Sequence, residues 1–432
     1  MTFKKTGAYA LAAGGMQQVL AMGHFLLVVR CLSPNDLGVW AMVLTLTSFV
    51  EMARLGLIQN ALVHFSAHYP ESRPLIFSTA LALNITTSVI LTAFFVAIAY
   101  CLRQIWQMPD LPMLLLLYLP TVVLLSLLRF FDGLRMLVHD FSIALWSGVS
   151  FGGMFLALTF LTQLNMHDMS PRILVLLQFP SAVFALGVVT LMGVTKSITW
   201  GYVSKEWLRR LIHFGRFGMG TNICSMIFQR ADVLLLGAFV TPAALGAYNI
   251  ATRIIGYLDF PLNNLGLALF PRLAAESKAG GTEGVILMYE KFVGWLLALT
   301  LPMTAVIVLS AHWIVYLIAG DRFPDAVLLV QIFALAGIVK PWGRLFGITL
   351  DAIGKPEWNF KILLASMVIN IAFNAALIPL FGILGAATAT SLAIILTIAI
   401  GQMRLRTTLP IRAARAWLYV VPTYRQALKL LH

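Results

Sequence analysis

The chain has 432 residues, 60% of them hydrophobic and only 11% charged, with a net charge of +13. A soluble domain is about 25% charged, so a chain this apolar has too few polar side chains to cover a solvated surface. Its 30 Lys and Arg residues are spread over many segments with no basic module among them, which argues against nucleic acid as a partner.

Apolar windows about 20 residues long, enough to cross a bilayer as helix, recur along the whole sequence. The first six fall near 7–29, 38–61, 77–101, 111–130, 141–163 and 172–194. The second six fall near 214–238, 244–268, 286–309, 326–348, 361–380 and 382–403. The runs are too long for strands and lack period-2 alternation. The expected fold class is therefore an all-α polytopic membrane protein with twelve transmembrane helices. The first apolar run follows two lysines but exceeds a signal-peptide core, so it reads as a retained helix.

Charge sets the orientation. With the N-terminus inside, the inward segments hold 22 cations, the outward loops 4 and the spans the remaining 4. Positive residues favour the cytoplasmic side, so both termini are expected in the cytoplasm. No outward loop is long; the largest lies near 310–325.

The sequence also repeats itself. A shift of 208 residues lays Ser33-Pro34 on Thr241-Pro242, Leu37-Gly38 on Leu245-Gly246, Trp40 on Tyr248 and Glu51 on Asp259. A shift of 219 lays Asp132 on Asp351, Phe141 on Phe360 and Ile143 on Ile362. Each echo joins equivalent spans of the two series. Six spans per half keep both halves in one orientation, so the pseudo-two-fold axis runs along the membrane normal. The expected organisation is a six-helix lobe over 1–194, an interfacial linker over 195–213, a second six-helix lobe over 214–403 and a basic cytoplasmic tail over 404–432. In the linker, Trp200, Val203, Trp207 and Leu211 recur at near-helical spacing among basic residues, as in a helix lying on the cytoplasmic surface.

The sequence carries neither a P-loop nor a zinc-protease motif. There is no G-x-x-x-x-G-K-[ST] and no H-E-x-x-H. Cys31, Cys101 and Cys224 have no metal-ligand spacing. Gln17 and His24 share a helical face without an acid or nucleophile, and read as a pocket wall. No catalytic residue, metal or cofactor is expected.

The informative residues are charges inside spans, where a charge costs at least about 2.5–3.5 kcal/mol. The cations are Arg54, Arg230, Arg253 and Lys340, and the acids are Glu51, Asp232 and Asp259. Glu51 and Arg54 lie three apart on one helical face. Neither Arg253 nor Lys340 has an acid one turn away. These four cations are candidate cavity groups for a phosphate-bearing substrate, which guanidinium binds in bidentate fashion. The acids are candidates for ion coupling or for internal ion pairs. Asp259 is the foremost coupling candidate, because Arg253, six residues earlier, is rotated away by about 240°. Asn370 and Asn374 share one face, and Asn263 and Asn264 follow Pro261; such amides serve either sugar hydroxyls or helix contacts.

Two stretches carry a family resemblance. "RADVLLLGAFVTPAALGAYNIATRI", followed by "ALFPRLAA", resembles polysaccharide and oligosaccharide-lipid flippases, as does "LDAIGKPEWNFKILLASMVINIAFNAALIPLFGILGAATATSLA". These proteins share the MOP superfamily with the MATE exporters. The resemblance implies a MATE-like pair of lobes in the bacterial inner membrane. It implies movement of undecaprenyl-pyrophosphate-linked glycan units between leaflets by alternating access, for surface polysaccharide assembly. Polysaccharide polymerase or export proteins would be its partners, besides membrane lipids, and a proton or sodium gradient could drive it. The alternatives are a cation-coupled multidrug antiporter of the MATE type and a membrane glycan polymerase or acyltransferase. Short outer loops and the lack of a catalytic cluster count against the last.

Overall fold

In the computed structural model, which describes residues 3–136, 142–165, 168–193, 201–278 and 282–431, both copies of the repeated phrase begin a helix in the same way. Ser33 caps α2 (Pro34–His68), its hydroxyl accepting from Asp36 N at 3.1 Å. Thr241 does the same for α8 (Pro242–Lys278), accepting from Ala244 N at 3.4 Å. In each case proline holds the first helical position, where its missing N–H costs nothing. Local capping thus accounts for the Ser/Thr-Pro pair in both copies.

The remaining helices are α1 (Phe3–Cys31), α3 (Arg73–Leu102), α4 (Leu111–Met136), α5 (Ser142–Asn165), α6 (Pro171–Leu191) and α7 (Lys205–Phe239). After α8 come α9 (Thr282–Ala319), α10 (Asp325–Gly337), α11 (Lys340–Ala352), α12 (Pro356–Arg406) and α13 (Val420–Leu431). Among the described residues, eight helices are long and apolar enough to cross a bilayer, or nine if α10 and α11 form one bent span.

The chain divides into two compact units. Unit 1 comprises Met1–Arg230 with Thr241–Gly246, and unit 2 comprises Ala231–Val240 with Ala247–His432. In unit 1, α1 packs on α5, α3 on α4, and α6 on both α4 and α5. Its core gathers Leu57, Ala61, Ile76, Leu128, Phe131, Ile143, Ala185, Trp207 and Leu211. Gln17 Nε2 donates to Ala144 O at 2.9 Å, and the His24 ring lies 4.0 Å from that of Phe155, so the α1 pair serves the α1–α5 seam.

Of the surface helix expected over 195–213, residues 205–213 form the start of α7. Residues 194–200 lie outside the described residues. From Lys205 onward the chain is one continuous 35-residue helix, and Trp207 and Leu211 are buried in the unit 1 core. The near-helical spacing of these apolar residues was real, but a helical core, not a lipid surface, takes them up. Further along α7, Gly215 and Gly218 abut the α2 backbone at Leu57 and Gly56, so closely that a Cβ there would overlap main-chain atoms. Small residues let two helix backbones approach in this way.

Unit 2 departs from the expected spans at three places. The span expected over 326–348 is broken into α10 and α11, bent by 45°. Pro341 has no N–H to donate to the carbonyl of Gly337, four residues earlier, so α10 ends at Gly337 and a new helix starts at Lys340. The loop expected over 310–325 is shortened, because α9 continues to Ala319. The tail expected from 404 is folded: Leu409, Ile411, Ala416 and Val420 join the unit 2 core with Tyr289, Phe292, Val293 and Leu296. Within α12, Gly382 takes φ 57° and ψ −131°, a conformation that L side chains avoid, and interrupts the helix there.

Candidate functional site

A cavity of about 330 Å³ opens within unit 1, between α2, α4 and α5. Thr47, Ser48 and Glu51 line it from α2, Tyr118, Arg129 and Asp132 from α4, and Ser147 from α5. Leu44, Met52, Val122, Leu125, Leu128 and Phe151 complete an apolar wall. Convergent polar groups in an apolar hollow are the usual form of a small-ligand site.

The charged side chains form one network across four helices. Arg54 donates to Glu51 Oε2 from Nη2 at 2.6 Å and from Nε at 3.2 Å. Its Nη1 donates to Asn84 Oδ1 at 2.6 Å, and Asn84 Nδ2 donates to Ser126 Oγ at 3.0 Å. On the other side, Glu51 Oε1 lies 4.0 Å from Arg129 Nε. Arg129 Nη1 lies 3.4 Å from Asp132 Oδ2, and Ser147 Oγ donates to Asp132 Oδ1 at 2.9 Å. Two cations offset two acids, so the two buried charges, Arg54 and Asp132, each lie beside an opposite charge. Tyr118 OH donates to Gln178 Oε1 at 2.6 Å, tying α4 to α6 behind the cavity.

This arrangement reassigns a cation. Arg54, expected to face a cavity, is 2% exposed and spends its donors on Glu51 and Asn84. The cation that faces the opening is Arg129, 49% exposed and only loosely held by Glu51 and Asp132. In the sequence Arg129 lies at the end of the apolar window near 111–130, and Asp132 figures only in the repeat. Two signals were available: the three-residue spacing of Arg129 and Asp132, and the match of Asp132 with Asp351 in the repeat.

In unit 2 the structure supplies what the sequence lacked. Lys340, the first residue of α11, donates to Asp259 Oδ1 at 2.9 Å and Oδ2 at 2.7 Å. Lys340 therefore has an acid after all, on α8, and Asp259 has its cation. Asp232 is buried on α7, accepting from Val233 N at 2.8 Å and from the Tyr248 hydroxyl of α8. Arg253 is half-buried on α8, within electrostatic reach of Tyr257 one turn on. Arg230 is half-buried on α7, at the last residue of the first stretch of unit 1. Asn374 Nδ2 donates to Asn370 Oδ1 at 3.0 Å, so these amides pair with each other along α12. The side chains of Asn263 and Asn264 lie outside the described residues.

A hydrolase-like spacing does occur in the chain: Gly148-Val149-Ser150-Phe151-Gly152 reads G-x-S-x-G. A nucleophile elbow needs a sharp strand-to-helix turn to expose its serine. Here the segment lies inside α5, with Ser150 buried, so the spacing carries no such chemistry.

The sequence profile of a family described as "Polysaccharide biosynthesis protein" matches residues 27–328, well over half of the chain. The chain belongs to this family. One relative, named as a low-salt glycan biosynthesis flippase of Haloferax volcanii, is 24% identical over 211 residues, 47% of this chain and 45% of the relative. Another, named as an O-antigen transporter of Escherichia coli K12, is 24% identical over 208 residues, 48% of this chain and 49% of the relative. In these matches the chain spans about half the length of the curated relatives. Among solved structures, the lipid II flippase MurJ in an inward closed conformation aligns with a TM-score of 0.75 at 14% identity, over 96% of this chain and 90% of that one. An inward-facing multidrug resistance MATE family transporter of the MOP superfamily aligns at 0.73 with 16% identity, over 92% and 98%. This family member thus shares its fold with both of these transporter structures.

Proposed function

We propose that this membrane protein is a flippase for undecaprenyl-pyrophosphate-linked oligosaccharide units. It would carry them from the cytoplasmic to the outer leaflet of a bacterial inner membrane for surface polysaccharide assembly, by alternating access of two six-helix lobes. Counting α1, α8, the bent α10–α11 pair and the two arms of α12 as spans gives the twelve this reading needs, with both termini cytoplasmic. Family membership and the relatives named as flippases and O-antigen transporters support it.

The observation that carries the reading is Arg129 at the mouth of the unit 1 cavity, loosely balanced by Glu51 and Asp132. A pyrophosphate offers better-placed oxygens than either carboxylate, and guanidinium binds them in bidentate fashion. Thr47 and Ser48, which line the cavity from α2, would meet sugar hydroxyls. Arg230, Arg253 and Lys340 would supply further positive charge, with Glu51, Asp232 and Asp259 as the acids through which a proton or sodium gradient could act. Polysaccharide polymerase or export proteins would take the delivered unit.

The two cavity acids favour one second reading, a cation-coupled exporter of the MATE type. Purified protein in vesicles separates the two. The flippase reading expects a fluorescent lipid-pyrophosphate oligosaccharide to become accessible on the opposite leaflet, with no gradient-driven movement of ethidium. Ethidium transport without lipid movement would establish the exporter instead.

A further inference from the structure

We propose that residues Leu409–Arg425 form a two-faced strap whose outer face binds the headgroups of anionic phospholipid. The inner face is visible in the packing. Arg412 N donates to Glu290 Oε1 of α9 at 3.1 Å, and Tyr424 OH donates to Ala298 O of α9 at 2.6 Å. Trp342 Nε1 of α11 donates to Ala413 O at 3.1 Å. Gly294 of α9 leaves room for the strap: a Cβ there would come within 2.6 Å of both Ala416 O and Tyr419 Cβ. Ala416 and Val420 point inward and are buried.

The outer face is a different surface. Trp417 is 46% exposed, Leu418 71% and Val421 57%. Arg412, Arg415 and Arg425 are exposed beside them. From Arg404 to the end the sequence holds Arg404, Arg406, Arg412, Arg415, Arg425 and Lys429, and no Asp or Glu. Exposed Trp, Leu and Val set among arginines match the headgroup layer, where apolar bodies enter the acyl boundary and cations meet phosphate. The covalent path fixes the level: α12 is a candidate span ending at Arg406, and the strap's first buried residue, Leu409, follows three residues on. A second copy of the chain is a poorer occupant, because it would bring this acid-free basic face against itself. Each arginine near an anionic surface is worth roughly a fivefold gain in partitioning.

The strap thus joins lipid to α11, whose first residue is Lys340. The proposal is independent of the substrate carried. Its test uses the full chain with Cys31, Cys101 and Cys224 replaced by serine and Leu418→Cys bearing an environment-sensitive dye. The protein is placed in nanodiscs of phosphatidylcholine, with and without phosphatidylglycerol. The expected result is a blue-shifted emission and weaker acrylamide quenching in the anionic discs, reversed by raising salt. An Arg412→Gln, Arg415→Gln, Arg425→Gln variant should give the same emission in both discs. Emission of the unsubstituted strap that ignores both lipid charge and salt would overturn the proposal. So would disulfide formation between Leu418→Cys copies when two chains share a disc, because another copy would then cover the face.

Discussion

Lys340 Nζ grips both carboxylate oxygens of Asp259, linking residues 81 positions apart in sequence. The pair is partly solvated, with side-chain exposures of 22% and 33%. Its loss should therefore cost less than the ~3–5 kcal/mol of a fully buried pair and more than the ~1 kcal/mol of a surface pair. Lys340→Ala should lower thermal stability, and Lys340→Gln combined with Asp259→Asn should restore much of it. A double variant as unstable as the sum of the single ones would show that the two residues act separately. Transport by the double variant then reports whether charge at this place is needed beyond stability.

Arg54 and Arg129 should separate stability from transport. Arg54→Ala leaves Glu51, itself 32% exposed, without its two guanidinium donors and the buried Asn84 Oδ1 without one, so a loss of about 1–3 kcal/mol is expected. Arg129→Ala removes two long contacts from an exposed side chain and should melt within about 1 kcal/mol of the parent. Lipid-linked glycan transport by Arg129→Ala should nevertheless fall at least tenfold. Thermal unfolding in detergent and a vesicle assay together would expose a reversed pattern.

Ser147→Ala tests the hold on Asp132. The hydroxyl donates to both carboxylate oxygens, at 2.9 and 3.1 Å. Its loss should cost about 1–3 kcal/mol, because a buried acceptor loses a partner. Asp132→Asn in the same background should recover part of that loss. If Ser147→Ala melts like the parent, the hydroxyl is not holding the acid.

Two glycines of α7 make a matched comparison. Gly215 lies against Leu57 O, whereas a Cβ at Gly220 would meet nothing within 4 Å. Gly215→Ala should force α2 and α7 apart and lower stability by several kcal/mol. Gly220→Ala should be neutral or stabilise by up to about 1 kcal/mol, the helix preference of Ala over Gly. Equal melting temperatures for the two variants would contradict the close approach.

Topology can be read by thiol labelling in a cysteine-free background. The charge bias predicts that Asn165→Cys reacts from outside the cell and Lys205→Cys only from inside. Both positions are exposed, so either result is readable. The opposite pattern would invert the whole assignment.

The sequence by itself determined the helical membrane class, because hydropathy acts over contiguous windows and needs no partner. It also marked local events. Ser33-Pro34 and Thr241-Pro242 stood out as a repeated phrase, and Glu51 and Arg54 announced their shared face, because a repeat needs only the chain aligned with itself and three-residue spacing depends on neighbouring residues alone. Tertiary structure alone decided the rest. Asp259 found its cation on another helix, Arg54 turned inward to Asn84, and Arg129 took the cavity mouth. Charges inside a bilayer must find partners or a polar cavity, but the identity of the partner depends on which helices meet. The same holds for Trp207 and the C-terminal strap. Their amphipathic spacing fits lipid or protein equally well, and only the packed helices show which apolar residues were buried and which were left outside.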